Sequence, residues 1–149
     1  MRLMMHNINA ECLCIRVYYE DTDFSGRVYH ASYLRFLERG RTEWLRRQGF
    51  EHREIAGSDR IIFAVRSLQI DYLAPALMDD LLEVDTEVMR SHGASIDFLQ
   101  RIQRGEKELI RATVLVAAIR DGRPTRVPEL LRRALAGSVL DQARTFKTV

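Results

Sequence analysis

Residues 31–48 read ASYLRFLERGRTEWLRRQ, and their period decides the class of this chain. Tyr33, Leu34, Leu37, Gly40, Arg41, Trp44, Leu45 and Gln48 share one side of a helix, mostly apolar. Arg35, Glu38, Arg39, Arg46 and Arg47 fall largely elsewhere. The stop is well marked. Gly49 suits a left-handed residue just past the helix, Phe50 can close back on it, and Arg46 and Arg47 sit favourably in the last turn. Trp44 and Phe36 are expected to pack this helix.

On both sides of the helix the period is two. Leu13, Ile15, Val17 and Tyr19 alternate with Cys14, Arg16, Tyr18 and Glu20, which predicts a strand. Residues 51–58 suit a short helical turn. Ile61 to Tyr72 is a strand whose phase slips between Val65 and Leu68, predicting a bulge near Arg66 and Ser67. Pro75 makes LAPALMDD (73–80) a loop. Leu82, Val84, Thr86 and Val88 alternate with Glu83, Asp85 and Glu87. Ser91 to Ala94 reads as a hairpin turn, and Ile96, Phe98, Gln100 and Ile102 as its return. After a turn at Arg104 to Lys107, the apolar run Leu109 to Ile119 suits a central strand. Asp121 to Pro124 ends the sheet, and Val127 to Ala136 suits a short helix with Pro128 near its first turn. Strands that follow one another usually pair. The expectation is an α+β domain: one antiparallel sheet packed on one dominant helix. One domain spans 1–149, with its core at about 12–120 and a C-terminal helix and tail after 126.

Composition agrees. The chain has 149 residues, 46% hydrophobic and 30% charged, enough for a core without staples. A net charge of +2 with no run of five like charges argues against a nucleic-acid arm. Only Lys107 and Lys147 are lysines. Arginine suits bidentate binding of phosphate or carboxylate, although genome composition is the simpler source of this bias. Cys12 and Cys14 are too few for a secreted framework and read as reduced and buried. MRLMMHNINAEC lacks the apolar run of about 7–15 residues of a leader. Nothing approaches the ~18 apolar residues of a spanning helix. A soluble, cytoplasmic protein is expected.

Chemistry concentrates between Tyr18 and Tyr33, YYEDTDFSGRVYHASY. Glu20, Asp21, Asp23 and His30 gather where the first strand meets the long helix. A helix N-terminus offers unpaired N–H groups and a positive dipole end. Such groups polarise a carbonyl, and a carboxylate beside them supplies a base or nucleophile, as acyl transfer needs. The blander reading is that the acids cap the helix and the histidine is structural. Asp21-x-Asp23-x-Ser25-Gly26 also mimics the opening of a calcium loop, but Ser32 stands where that loop needs Glu, and a strand precedes it. GxSxG, GxGxxG and P-loop patterns are absent. His6, His30, His52 and His92 lack metal-ligand spacing, and Cys12-x-Cys14 lacks a second pair, so no metal is expected.

The run VYYEDTDFSGRVYHASYLRFLERGRTEWLR (17–46) resembles the signature of hotdog-fold acyl-CoA thioesterases, in particular the YbgC-type, Tol–Pal-associated branch of the 4-hydroxybenzoyl-CoA thioesterase-like superfamily. DYLAPALMDDLLEV and the SHGAS hairpin extend the resemblance over about Ile15 to Ile119. It implies a hotdog fold, a five-stranded antiparallel sheet curled around one long central helix. It implies a homo-oligomer, dimer or dimer of dimers (a homotetramer), in which two sheets join and active sites lie at the interface. The family's catalytic aspartate matches Asp23, and the helix-start residue whose N–H faces the thioester carbonyl matches His30. Tyr29 and Gly26 then fall at oxyanion or substrate-positioning places. Phe24-Ser25-Gly26-Arg27 departs from relatives, where smaller or apolar residues are frequent, so acyl preference does not transfer.

The implied reaction is hydrolysis of an acyl-CoA, or of an acyl carrier protein thioester, with Asp23 as nucleophile or general base. Coenzyme A is part of the substrate, and no separate cofactor is expected. Its phosphates call for cations, and Arg90, His92, Ser95, Arg123 and Arg126 are the candidates. No nucleic acid and no membrane span are expected, and closeness to the Tol–Pal system is implied by the resemblance alone. Two rivals remain. A hotdog hydratase or dehydratase would form enoyl or hydroxyacyl products. A non-catalytic acyl-carrier-binding scaffold would bind without turnover.

Overall fold

The computed structural model describes residues 12–145. The N-terminal stretch read for a leader, with His6, lies outside them. The elements are β1 (Leu13–Arg16), a 3₁₀ turn (Tyr19–Asp21), α1 (Ser32–Arg47), α2 (His52–Ser58), β2 (Ile61–Tyr72), β3 (Leu81–His92), β4 (Ser95–Arg104), β5 (Lys107–Arg120), β6 (Arg123–Pro124) and α3 (Glu129–Thr145). Five strands run antiparallel in the order β1-β3-β4-β5-β2, and the two-residue β6 pairs with the end of β5.

The helix forms where its period placed it and ends as its sequence dictates. Gly49 adopts φ +88°, its N–H reaches the Arg46 carbonyl at 2.9 Å, and the Phe50 N–H reaches the Leu45 carbonyl at 3.1 Å. These two bonds are a complete Schellman cap. Phe36, Leu37, Trp44 and Leu45 are buried against the sheet's inner residues, among them Leu82, Val84, Ile102 and Ile110. Each such burial stabilises by roughly 1.5–3 kcal/mol. Gly40 allows this close approach. A Cβ there would lie 2.7 Å from Val84 Cγ1 and 3.0 Å from both Thr86 Oγ1 and Gln100 Nε2. Beside it the fully buried Gln100 amide donates to the Leu37 carbonyl and to Thr86 Oγ1, both at 2.9 Å, and its carbonyl accepts from Arg41 at 3.0 Å. This polar pin fixes α1 on the sheet.

The bulge stands where the phase slip put it, between Val65 and Ser67. Other expectations need correction. The first strand stops at Arg16, because the buried Asp21 carboxylate accepts the Tyr18 N–H at 2.9 Å and folds Tyr19–Asp21 into a turn. Cys12 and Cys14 are free thiols as expected, but Cys14 is exposed and Cys12 only half-buried. Cys14 stands on the face of β1 opposite the buried Ile15. Asp121 and Gly122, both at positive φ, turn the chain back so that Arg123 and Pro124 pair with Arg120 and Ile119. Two further register shifts, at Val88/Arg90 and at Ile102/Gln103, had no sequence signal. The last helix starts two residues later than expected and runs to Thr145.

The sheet has two unlike edges. β1 is short, whereas β2 is a twelve-residue strand with a free side. On the helix-facing side of β2, Val65 is 52% and Tyr72 48% exposed, while Ile102 in the same layer of β4 is fully buried. The α1 helix packs over β1 and β3 and leaves that inner lane of β2 open.

Candidate active site

Asp23 opens a tight turn. Its N–H donates to the Arg27 carbonyl at 2.9 Å, and the Gly26 N–H donates back to its carbonyl at 3.0 Å. Gly26 has φ +76°, a conformation that disfavours any Cβ. The Asp23 Oδ1 accepts the Ser25 N–H at 2.8 Å and the Ser25 hydroxyl at 2.5 Å. This Asx turn aims the carboxylate outward and holds it ionised. The Ser25 hydroxyl and N–H, with lesser help from His30 and Arg27, lower its pKa below the ordinary value. A Thr22–Val28 bridge closes the turn, and the Val28 N–H donates to the Ala76 carbonyl at 2.9 Å, tying it to the loop before β3.

Six bonds and contacts fix the start of α1. The Tyr29 N–H donates to the Asp21 carbonyl at 2.8 Å, and the Ser32 N–H to the Tyr29 carbonyl at 2.8 Å. The Tyr72 hydroxyl donates to the His30 carbonyl at 2.8 Å. Tyr72 in turn stacks edgewise on Tyr33 (5.8 Å), whose hydroxyl accepts the Ala76 N–H at 3.0 Å. The Tyr29 and His30 rings lie 4.4 Å apart. With the carbonyl held and the side chain exposed, the His30 N–H donates to no backbone carbonyl among the described residues. The N-cap is Ala31, which supplies no side-chain bond, where Ser, Thr, Asp or Asn is usual. The positive end of a sixteen-residue helix is thus left open beside an ionised carboxylate.

A collar of exposed apolar side chains lies on the segments that carry the pair: Tyr18, Tyr19, Phe24 and Tyr29, with Tyr72, Leu77 and Met78 on the strand and loop bonded to them. Asp23, Gly26, Tyr29 and His30 come together as the sequence led us to expect. Arg90, His92, Ser95, Arg123 and Arg126 do not join them within one chain. Tyr72, at the His30 end, pairs with Ile110, whereas Ser95 pairs with Ala117, seven residues or roughly 23 Å further along β5. These five residues gather instead at the far end of the sheet, where the Val127 N–H donates to the Gly93 carbonyl and Arg90 pairs with Asp97 at 3.2 Å. Sequence reading missed Ser25 as the partner of Asp23, although an Asp followed two residues later by Ser is an Asx-turn signal. It also missed Tyr72, which no spacing could have joined to a residue 42 positions away. Among the described residues no group of three or more His, Cys, Asp or Glu side chains is placed to hold a metal ion. Among the same residues, no helix is long and apolar enough to cross a membrane.

Residues 17–135 match the family model of the thioesterase-like superfamily. The chain is 46% identical over 122 residues to the acyl-CoA thioesterase YbgC of Haemophilus influenzae, covering 80% of this chain and 90% of that protein. It is 47% identical over 106 residues to the acyl-CoA thioester hydrolase YbgC of Escherichia coli O157:H7, covering 70% and 78%. Among solved structures, a protein from Bartonella henselae described as a probable thioesterase superposes with a TM-score of 0.77 at 43% identity, covering 78% of this chain and 98% of that one. The hypothetical protein TT1821 of Thermus thermophilus superposes with a TM-score of 0.81 at 28% identity, covering 85% and 98%. These neighbours share the curled sheet wrapped on one helix, the hotdog fold.

Proposed function

The chain belongs to the thioesterase-like superfamily, and from that premise we propose that it hydrolyses the thioester of an acyl-CoA, with Asp23 and the open start of α1 as its reacting centre. The observation that carries this is the pairing of an exposed, ionised Asp23 with the undonated N–H of His30 at an uncapped helix N-terminus. The thioester carbonyl accepts that N–H, and the helix dipole favours the oxyanion that forms. Asp23 either attacks the carbonyl carbon, giving a mixed anhydride with loss of the CoA thiolate, or takes a proton from an attacking water. Single turnover in ¹⁸O-water tests the first route, since label in the Asp23 carboxylate requires a mixed anhydride opened by water at the aspartyl carbon. A phosphopantetheine arm on an acyl carrier protein presents the same thioester and suits the same centre.

The open lane of β2 and the apolar collar support a two-fold pairing of β2 with β2 of a second copy. An antiparallel β2–β2 junction sets the Tyr72 end of one chain beside the Ile61 end of the other. Ile61 pairs with Arg120, next to β6 and the β3–β4 hairpin. The pairing therefore brings the second copy's end bearing His92, Ser95, Arg123 and Arg126 toward Asp23. In this arrangement the cations named for the CoA phosphates serve the neighbouring centre.

The test is thiol release from a panel of acyl-CoAs, from short aliphatic to long and aromatic, by the wild type and Asp23→Asn. A loss of at least about a hundredfold in the folded variant supports the proposal. Equal release by both proteins overturns Asp23. Absence of release with conversion of an enoyl-CoA points to hydration, and binding without any conversion points to a scaffold.

A further inference from the structure

The first turn of α1 carries its charge against the helix. Negative side chains stabilise a helix N-terminus, and positive ones oppose its dipole. This turn, Ser32 to Arg35, holds no acid and ends in a cation, and its N-cap Ala31 supplies no side-chain bond. Helical side chains lean back toward the N-terminus, and Arg35 does so. Its Nη2 donates to the Ser32 hydroxyl at 3.1 Å and lies 4.0 Å from the Asp21 carboxylate. Local rules broken together at one place point to a function. We propose that Arg35 is a positioning residue that keeps the open start of α1 electropositive at the His30 N–H, where the oxyanion forms. This rests on the thioesterase reading and deepens it.

Two features join Arg35 to that N–H. The first is Ser32. The Tyr29 carbonyl and the His30 N–H share one peptide plane and point in opposite directions. The Ser32 N–H holds that carbonyl at 2.8 Å and so aims the His30 N–H out of the helix start. Ser32 is buried, and its hydroxyl takes the Arg35 bond. The guanidinium therefore sits over the turn that orients the donor. The second feature is Asp21. Its side chain is buried, its carbonyl accepts the Tyr29 N–H at 2.8 Å, and its Oδ2 accepts the Tyr18 N–H at 2.9 Å. The backbone needs this carboxylate, yet a negative group bonded this close to Tyr29 opposes a second negative charge at the next residue. Arg35 is the counter-ion that offsets it.

A field-setting arginine and a structural one differ in what their loss does. More than half of the Arg35 side chain is exposed, so its ion pair adds little stability. On dipole grounds the helix tolerates a neutral or acidic side chain at this place at least as well. A structural arginine would take stability and activity down together. The field-setting one takes down activity alone. A unit charge about 8–10 Å from a forming anion, in a half-exposed setting, changes a rate by about two- to tenfold. Charge reversal squares that factor, and salt screens it.

The test compares the whole wild-type protein with Arg35→Lys, Arg35→Gln and Arg35→Glu, through two readouts. The first is base-catalysed hydrogen exchange of the His30 amide by NMR, which needs no substrate. Hydroxide removes the amide proton and leaves an anion on that group, so a positive field speeds exchange. Exchange is expected to slow about two- to tenfold in Arg35→Gln, to slow further in Arg35→Glu and to stay near wild type in Arg35→Lys. These differences should close in about 1 M salt. The second readout is thiol release from an N-acetylcysteamine thioester, which has no phosphate for an arginine to bind. Its kcat is expected to fall in the same order, with melting temperatures nearly unchanged. Exchange rates that are equal across the series, or that follow melting temperature and not charge, overturn the proposal. So does a loss seen only as a raised KM for acyl-CoA, which makes Arg35 a phosphate contact. Exchange that follows charge, with no thiol release by wild type from any thioester, establishes the field of Arg35 and overturns the thioesterase reading instead.

Discussion

Replacing Gly40 by alanine isolates the contact that seats the long helix. On propensity alone, Gly→Ala inside a helix stabilises by about 1 kcal/mol. The structure predicts the opposite sign. The new methyl would lie 2.7 Å from Val84 Cγ1, while unstrained carbons sit at about 3.5–4.0 Å. Val84 is 1% exposed in the middle of β3 and has nowhere to go. Overpacking of this kind costs about 1–3 kcal/mol. The same methyl crowds Gln100 Nε2 and Thr86 Oγ1 at 3.0 Å, so one buried hydrogen bond is lost at about 1–3 kcal/mol. Set against the propensity gain, the net loss is about 1–5 kcal/mol. For a domain of this size that lowers Tm by roughly 2–20 °C. Calorimetry reads it directly. Val84→Ala in the Gly40→Ala background should recover about 1 kcal/mol of the sum of the single losses. A Gly40→Ala protein as stable as wild type, or an additive double mutant, would refute the close-approach reasoning.

Ser25→Ala removes the largest influence that lowers the Asp23 pKa. With that bond gone the pKa rises toward the ordinary carboxylate value, so the acid limb of kcat/KM moves to higher pH while the alkaline side stays. Tyr72→Phe deletes the hydroxyl that holds the His30 carbonyl. It should lower kcat by about tenfold or less with KM little changed and stability reduced by only about 0.5–1.5 kcal/mol, as read by steady-state kinetics and melting. Leu68→Glu places a charge on the open inner lane of β2. It should shift sedimentation toward the monomer and remove thiol release while leaving the single chain folded by circular dichroism.

The fold was legible where local chemistry and tertiary packing agree. The period of 31–48, Gly49 at its end and the phase slip near Arg66 each report a backbone event within a few residues, and the structure has all three. The reading failed where a distant or side-chain partner decided. Tyr19 continues an alternating pattern, but the Asp21 carboxylate captures the Tyr18 N–H and ends the strand early. Arg123 and Pro124 look like a terminator, yet the positive φ of Asp121 and Gly122 returns them to β5. The site divides in the same way. Asp23 and His30 are seven residues apart and were readable together. Tyr72 acts through a contact 42 residues away, which alternation and spacing do not encode.

The exposure of Asp23 links assembly to chemistry. Its carboxylate stands in water, with its charge already favoured by the Ser25 bonds. An oxyanion donor is worth several kcal/mol in a water-excluded site and far less in bulk solvent. Under the proposed mechanism, a lone chain holds its reacting groups in an environment that weakens them. Tyr18, Tyr19, Phe24 and Met78 are exposed apolar surface, and β2 is an edge strand with a free side. Covering both with a second copy would exclude water from the carbonyl and strengthen the His30 N–H contact. It would also desolvate Asp23 and raise its pKa toward a more basic, more reactive carboxylate. The Ser25 bonds oppose that rise and keep the group ionised once covered. On this account the low pKa of the single chain is the starting point from which assembly tunes the base, and specific activity should fall on dilution in step with dissociation of the pair.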